Sequence, residues 1–259
     1  MQLRFKRIGK YVIVLKTKEE IEIMRRAGRV VGQTLDMVGE NLRPGMSTAE
    51  LDTLIEDFIR SKGAVPAFKN YHGYPASACI SINDEVVHGI PGKRIIAEGD
   101  IVSVDVGSIV DDYYGDSART FAVGKVSPEK SRLMEFTLKS LMAGIDNARK
   151  GNKLGSISAA VQKVAEGQGF GVVRQLVGHG IGRSMHEEPQ VPNFGSEKDG
   201  PVLRAGMVLA VEPMITMGTY EVKTLPDGWT VVTADGLPSA HFEHTIAITD
   251  NGPDILTLS

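Results

Sequence analysis

GDIVSVD, residues 99–105, and GMVLAVE, residues 206–212, read as one phrase written twice. Each begins with a glycine, continues through an apolar, strand-forming run, and ends on a carboxylate six residues later, Asp105 or Glu212. The two copies lie 107 residues apart, and a pair of helix-opening loops keeps that offset, RPG at 43–45 against KGN at 150–152. A second carboxylate follows in each copy: Asp116 ahead of SARTFAV and Glu243 ahead of HTIAIT, now 127 residues apart. The second copy therefore carries about twenty additional residues, around 217–236. Two separate matches at one offset argue against chance likeness of two buried strands. They indicate two related halves facing each other about a pseudo-twofold axis.

The flanking elements fit an α+β chain. Ile21, Met24, Ala27, Val31, Leu35 and Val38 recur at helical spacing and predict a helix over 18–39, stopped by Arg43-Pro44-Gly45. STAE at 47–50 is a capping-box pattern that opens a second helix with the stripe Leu51, Leu54, Ile55, Phe58. Ser127-Pro128 opens a third helix running to about 149, with proline where its missing donor costs nothing, and a fourth covers about 155–168. Strands are expected at 78–88, 101–106, 113–123, 207–215, 229–233 and 242–249. Asp111-Asp112 reads as a turn and Tyr113-Tyr114 as an edge-strand pair.

Composition narrows the class. Of 259 residues, 42% are apolar and 24% charged, an ordinary globular profile, and the net charge of −3 gives no overall pull toward nucleic acid or membrane. The first residues are locally basic (Arg4, Lys6, Arg7, Lys10), which reads as a solvated arm. YVIVL at 11–15 is too short for a signal-peptide core, and no apolar run reaches membrane-spanning length. Cys79 is the single cysteine, so no internal disulfide forms. That fits a reducing, cytoplasmic compartment. Its surroundings carry no cysteine-protease signature, and the glycine runs at 167–171 and 178–182 lack dinucleotide spacing.

Asp105 and Glu212 interrupt otherwise apolar strands, where a carboxylate needs a cation or dense hydrogen bonding. A twofold arrangement brings Asp105, Asp116, Glu212 and Glu243 together, and four such groups repel unless metal ions neutralise them; two divalent cations balance the charge. Asp105 and Asp116, eleven apart around the turn, fit one face of an antiparallel hairpin. In LVGHGIGRSMHEEP, residues 176–189, His179 lies between two glycines and can approach a metal closely. If 179–186 is extended, His186 points to the other face and does not share that metal. Carboxylates with one imidazole suit Mn, Fe(II), Co or Zn. His88 is the corresponding histidine of the first half.

At these residues the sequence resembles the type I methionine aminopeptidases of the short bacterial form, peptidase family M24A. The resemblance runs from about Lys16 to the C-terminus. It is carried by YHGYP (71–75), CISIN (79–83), VHGIP (87–91), VDVG (104–107), GDSART (115–120), GHGIGR (178–183), MHEEP (185–189), VEP (211–213) and FEHT (242–245). It implies the pita-bread fold, helices packed on a curved antiparallel sheet. A single catalytic domain would span 16–259, with halves of about 16–125 and 126–259, behind a basic extension at 1–15.

The resemblance implies metal ligands at Asp105, Asp116, His179, Glu212 and Glu243, with Asp116 and Glu243 bridging two divalent ions (Co, Mn, Fe(II) or Zn). Such a pair holds a hydroxide that attacks the first peptide bond. His88 would meet the substrate's N-terminal end, His186 the scissile carbonyl, and Glu212 would shuttle the proton. Tyr71, Tyr74, Cys79, Met185 and Trp229 would line the methionine pocket. Phe68 and Met185 stand where this family often has cysteine and phenylalanine, so the pocket differs slightly in shape. The implied substrate is the N-terminus of a nascent polypeptide with a small uncharged second residue. The implied protein is a cytoplasmic monomer without a nucleic-acid cofactor or membrane partner, and its basic arm suggests transient ribosome contact. Two rivals share the fold. Proline-specific peptidases usually carry a large further N-terminal domain, for which 259 residues leave no room, and non-catalytic binding modules lose the ligands that are intact here.

Overall fold

The repeated phrase becomes a repeated pair of strands. The computed structural model describes residues 5–8 and 11–259, with side chains from Val12 onward. In chain order its elements are β1 (Phe5–Ile8), β2 (Tyr11–Val14), α1 (Lys18–Asn41), α2 (Thr48–Ser61), β3 (Val65–Pro66), β4 (Ala78–Ile82), β5 (Glu85–Val87), β6 (Ile101–Val110) and β7 (Tyr113–Ala122). There follow α3 (Pro128–Asn147), α4 (Gly155–Glu166), β8 (Gly171–Val172), β9 (Gly178–Gly180), β10 (Glu187–Val191), β11 (Val208–Val211) and β12 (Met214–Thr216). The last are β13 (Val222–Thr224), β14 (Val231–Thr233), β15 (Ser239–His241), β16 (His244–Thr249) and β17 (Gly252–Ile255). All pairings among the described strands are antiparallel, as β6 with β4 and β7, and β11 with β9 and β16.

The two copies match down to single hydrogen bonds. Gly99 N–H donates to Val123 O and Val123 N–H to Asp100 O; Gly206 N–H donates to Ile248 O and Ile248 N–H to Met207 O. Both glycines have positive φ, 86° and 92°, which a side chain would strain. The opening loops match as well, but one residue off the expected offset: Ile96 N–H donates to Met46 O and Leu203 N–H to Asn152 O, so 43–45 stands against 149–151.

Strand alternation sorts inside from outside. Val102, Val104 and Val106 of β6 pack with Val31, Leu35 and Val38 of α1 and Ile55 of α2. Their counterparts Leu209 and Val211 of β11 pack with Leu141 and Ile145 of α3 and Ile157 of α4. The helices thus cover the outer faces, and Asp105 and Glu212 are left on the inner one. The helices start as predicted: Thr17 and Ser47 form reciprocal capping boxes with Glu20 and Glu50, and Ser127 caps α3 with Pro128 in its first turn.

The halves are sewn together where β7 meets β16. Glu243 N–H donates to Ala118 O at 2.9 Å, Thr245 Oγ1 donates to Asp116 O at 2.7 Å, and Ser117 Oγ donates to Glu243 O. The twenty added residues cross between the halves, since β14 pairs with β5 of the first half, Val231 opposite Val87.

One expectation changes, and some features go beyond the sequence reading. The N-terminal segment is not wholly a solvated arm: β1 pairs with β2, and Ile13 is buried in the second half's core. The side chains of Arg4, Lys6, Arg7 and Lys10 lie outside the described residues. Tyr113 does sit on an edge strand, but its ring is buried and its hydroxyl donates to Glu20 Oε1 at 2.6 Å. The short strands β8, β9, β10, β13 and β17 carry too few alternating residues to show in the sequence.

Helix α1 reaches β7 through two glycines. A Cβ at Gly115 would lie 2.6 Å from Gly28 N and 2.8 Å from Ala27 C, all backbone that cannot swing away. Gly115→Ala is expected to lower stability by about 2 kcal/mol, the cost of forced overpacking. Urea unfolding tests this; an unchanged midpoint would mean that α1 is not seated this closely.

Candidate active site

The inner faces of the two hairpins meet, and the acids meet with them. Asp105 lies opposite Ala118 and Asp116 opposite Gly107, so both carboxylates share the inner face, as the hairpin reading required. Glu212 follows β11 directly, and Glu243 precedes β16. His179 of β9 sits opposite Ala210 and hence on the same face as Glu212. One donor atom each from Asp116, His179 and Glu243 fall within 4.8 Å of one another. His179 Nε2 lies 3.6 Å from Glu212 Oε1 and 3.9 Å from Asp116 Oδ2.

The electrostatics call for a cation. Asp105 Oδ1, Asp116 Oδ1 and Glu243 Oε1 are buried without a hydrogen-bond partner. Burial pushes the carboxyls of Asp105, Glu212 and Glu243 well up, and Asp116 repels all three. Burial likewise pushes Asp116 up to about 7. It pulls His179 down to about 4, with His186 beside it adding to the effect, so the imidazole stays neutral and free to ligate. An acceptor-only cluster with orphaned oxygens is chemically suited to divalent ions, so the donor set fits a metal.

A cavity of about 190 Å³ opens onto these acids. It is lined by all twelve side chains proposed from the sequence: Asp105, Asp116, His179, Glu212, Glu243, His88, His186, Tyr71, Tyr74, Cys79, Met185 and Trp229. Phe68 and His72 complete the wall. Trp229 arrives on the crossing insertion and packs edge-on to Tyr74, ring centres 5.1 Å apart. Cys79 lies opposite Asp105, and burial pushes its thiol well up, which suits a lining group rather than a nucleophile.

One reading of 176–189 needs correction. The segment between His179 and His186 is not extended but bends sharply after β9, so the two imidazoles end 4.3 Å apart instead of on opposite faces. His186 is held by the Tyr71 hydroxyl, 2.7 Å from its Nδ1. Gly178 and Gly180 also have a second purpose: a Cβ on either would run into a carbonyl of the flanking strands, Ala210 O or Glu188 O.

Sequence reasoning missed His72 and His241. His72 follows Tyr71 in a segment with φ 49°, which no periodicity marks. His241 is buried, its Nε2 has no partner and lies 3.8 Å from Glu212 Oε2, and its spacing from Glu243 was the available signal.

A model of metallopeptidase family M24 matches residues 22–250, and the chain belongs to that family. It is thus a peptidase, a hydrolase of peptide bonds. The resemblance to methionine aminopeptidases holds along nearly the whole length. The curated methionine aminopeptidase of Clostridium perfringens is 53% identical over 247 residues, covering 95% of this chain and 99% of the relative. Methionine aminopeptidase 1 of Bacillus subtilis is 50% identical over 246 residues, with coverage of 95% and 99%. The crystal structure of methionine aminopeptidase from Rickettsia prowazekii shares the fold at a TM-score of 0.94, with 43% identity over 95% of this chain and all of that one. Prolidase from Pyrococcus furiosus, at 24% identity and TM-score 0.77, covers 95% of this chain but 65% of its own, and shows likeness of fold alone.

The raised Asp116 carboxyl sets a pH signature. Its folded pKa, about 7, exceeds the unfolded value, so between about 4 and 7 the native state holds a proton that the unfolded chain has lost. Its contribution to stability therefore falls as pH rises through that window, by up to about 1.4 kcal/mol per unit. In chelator-treated protein, the stability of wild type minus that of Asp116→Asn is expected to fall from pH 4.5 to 7.5, and added Mn²⁺ to flatten the trend. A difference independent of pH without metal would show that Asp116 is not held in a charge-poor site.

Proposed function

We propose that the chain is a metal-dependent methionine aminopeptidase that removes the N-terminal methionine of nascent proteins and peptides and prefers a small uncharged second residue. The observation that carries this reading is one cavity in which an unsatisfied carboxylate cluster meets an apolar wall of Tyr74, Cys79, Met185, Trp229 and Phe68. A flexible, polarisable thioether suits such a wall.

Two divalent ions (Mn, Fe(II), Co or Zn) would be held by Asp105, Asp116, His179, Glu212 and Glu243. They would supply positive charge to polarise the carbonyl and to acidify water. His88, at the cavity wall with φ 59°, receives the substrate's N-terminal end. Burial pulls both His88 and His186 down, so each is neutral at pH 7 and able to donate from one nitrogen. His186 stabilises the oxygen of the scissile carbonyl as negative charge develops there. The water oxygen first forms the new C–O bond, placing charge on the carbonyl oxygen, and the C–N bond then breaks as the amine is protonated. Glu212 takes the water's proton and returns it to the leaving amine.

The reading places the enzyme in the cytoplasm as a monomer. No described helix is long and apolar enough to cross a membrane. Ribosome contact through the basic residues at 1–10 belongs to the same proposal.

Metal-reconstituted protein given Met-Ala-Ser, Met-Lys-Ser and Ala-Pro-Ser is expected to release methionine from the first peptide alone. Release of alanine from the third would move the chain to the proline-specific branch. Chelation should abolish turnover and Co²⁺, Mn²⁺ or Fe²⁺ restore it; full activity in metal-free protein would refute the mechanism. His186→Ala is expected to cut kcat about a hundredfold while leaving metal content unchanged. Loss of metal in that variant would make His186 a ligand instead.

A further inference from the structure

The turn at 182–187 carries Met185 and His186 into the cavity, and something must hold it from behind. Glu187 does so on two sides. Its Oε1 accepts from the backbone N–H of Arg183 at 3.0 Å and of Ser184 at 3.4 Å, closing the turn on itself. Its Oε2 meets Lys16 Nζ at 2.6 Å, with the two side chains only 3% and 12% exposed. Lys16 is itself anchored, since its backbone N–H donates to Gly206 O at 2.7 Å and its Nζ to Val14 O at 3.3 Å. Gly182 makes the arrangement fit: a Cβ there would run into Glu187 Oε1 and lie 2.6 Å from Lys16 Cε. Arg183 braces the same turn, donating to Tyr113 OH at 3.1 Å, and Tyr113 in turn donates to Glu20.

We infer that the buried Lys16–Glu187 pair is a positioning device for His186, so that turnover depends on the short segment joining the N-terminal hairpin to α1. A buried ion pair adds little net stability compared with well-packed apolar residues, so stability alone does not account for this one. What it does supply is a fixed turn, and a displacement of about 1 Å in a reacting geometry is enough to slow catalysis strongly. This inference rests on the role given to His186 under Proposed function.

The test uses Lys16→Met, Glu187→Gln and Lys16→Arg, each alone and combined with His186→Ala, in the full chain reconstituted with Mn²⁺ and assayed on Met-Ala-Ser. Lys16→Met and Glu187→Gln are expected to lower kcat about tenfold and leave KM within about threefold. Lys16→Arg should restore most of the loss. In the His186→Ala background Lys16→Met should change kcat less than about twofold, because its route of action is gone. In metal-free protein the His186 ring resonances should move in Lys16→Met while those of His244, outside the cavity, stay. Full activity in both Lys16→Met and Glu187→Gln overturns the inference, and so does a tenfold loss that persists without His186. If His186→Ala itself keeps wild-type turnover, the role of His186 falls and this inference with it. An impaired His186→Ala beside a fully active Lys16→Met removes the pair alone.

Discussion

Repulsion among four carboxylates buried in one place is the constraint that the rest of the molecule answers. Asp105, Asp116, Glu212 and Glu243 leave three oxygens without hydrogen-bond partners, and burial raises the carboxyl pKa values, with repulsion from Asp116 adding to the rise at the other three. Such a cluster persists only if packing elsewhere forces it. That force comes from the outer faces of the same strands. Val102, Val104 and Val106 are locked under α1 and α2, and Leu209 and Val211 under α3 and α4. Strand alternation then leaves the acids no other side to face.

Much of this was readable because a repeat displays itself twice. The 107-residue offset exposed Asp105 and Glu212 as one structural position, and the hairpin turn at Asp111-Asp112, with φ of 47° and 64°, set Asp116 on the face of Asp105. Helices α1 to α3 were legible from caps and periodicity. The motifs that carry the family resemblance then named the cavity's side chains, which spacing alone did not reach. What escaped were features fixed by contacts distant in sequence. The path from His179 to His186 depends on Lys16 and Glu187 closing a turn, which no local pattern records. The burial of Tyr113 depends on Glu20, 93 residues away.

The added segment of the second half shows why the twofold is only approximate. Symmetric halves would build a symmetric cleft, whereas a peptide has direction and its first residue must be told from its second. Residues 217–236 break the symmetry by crossing to pair with β5, and they deliver Trp229 against Tyr74. Under the proposed function, the insertion sets position along the substrate and the repeat supplies the chemistry.

That division makes the halves interdependent. Asp105 and Asp116 belong to the first, and His179, Glu212 and Glu243 to the second. They meet only when β7 and β16 dock through Asp116 with Thr245 and Ser117 with Glu243. A cation that needs ligands from both halves binds the docked state and not the separated ones. Its binding free energy therefore adds to the cohesion of that junction. The carboxylates that oppose docking without metal favour it once metal is bound, so one group of side chains joins the assembly of the two halves to the presence of the ion that would serve the chemistry.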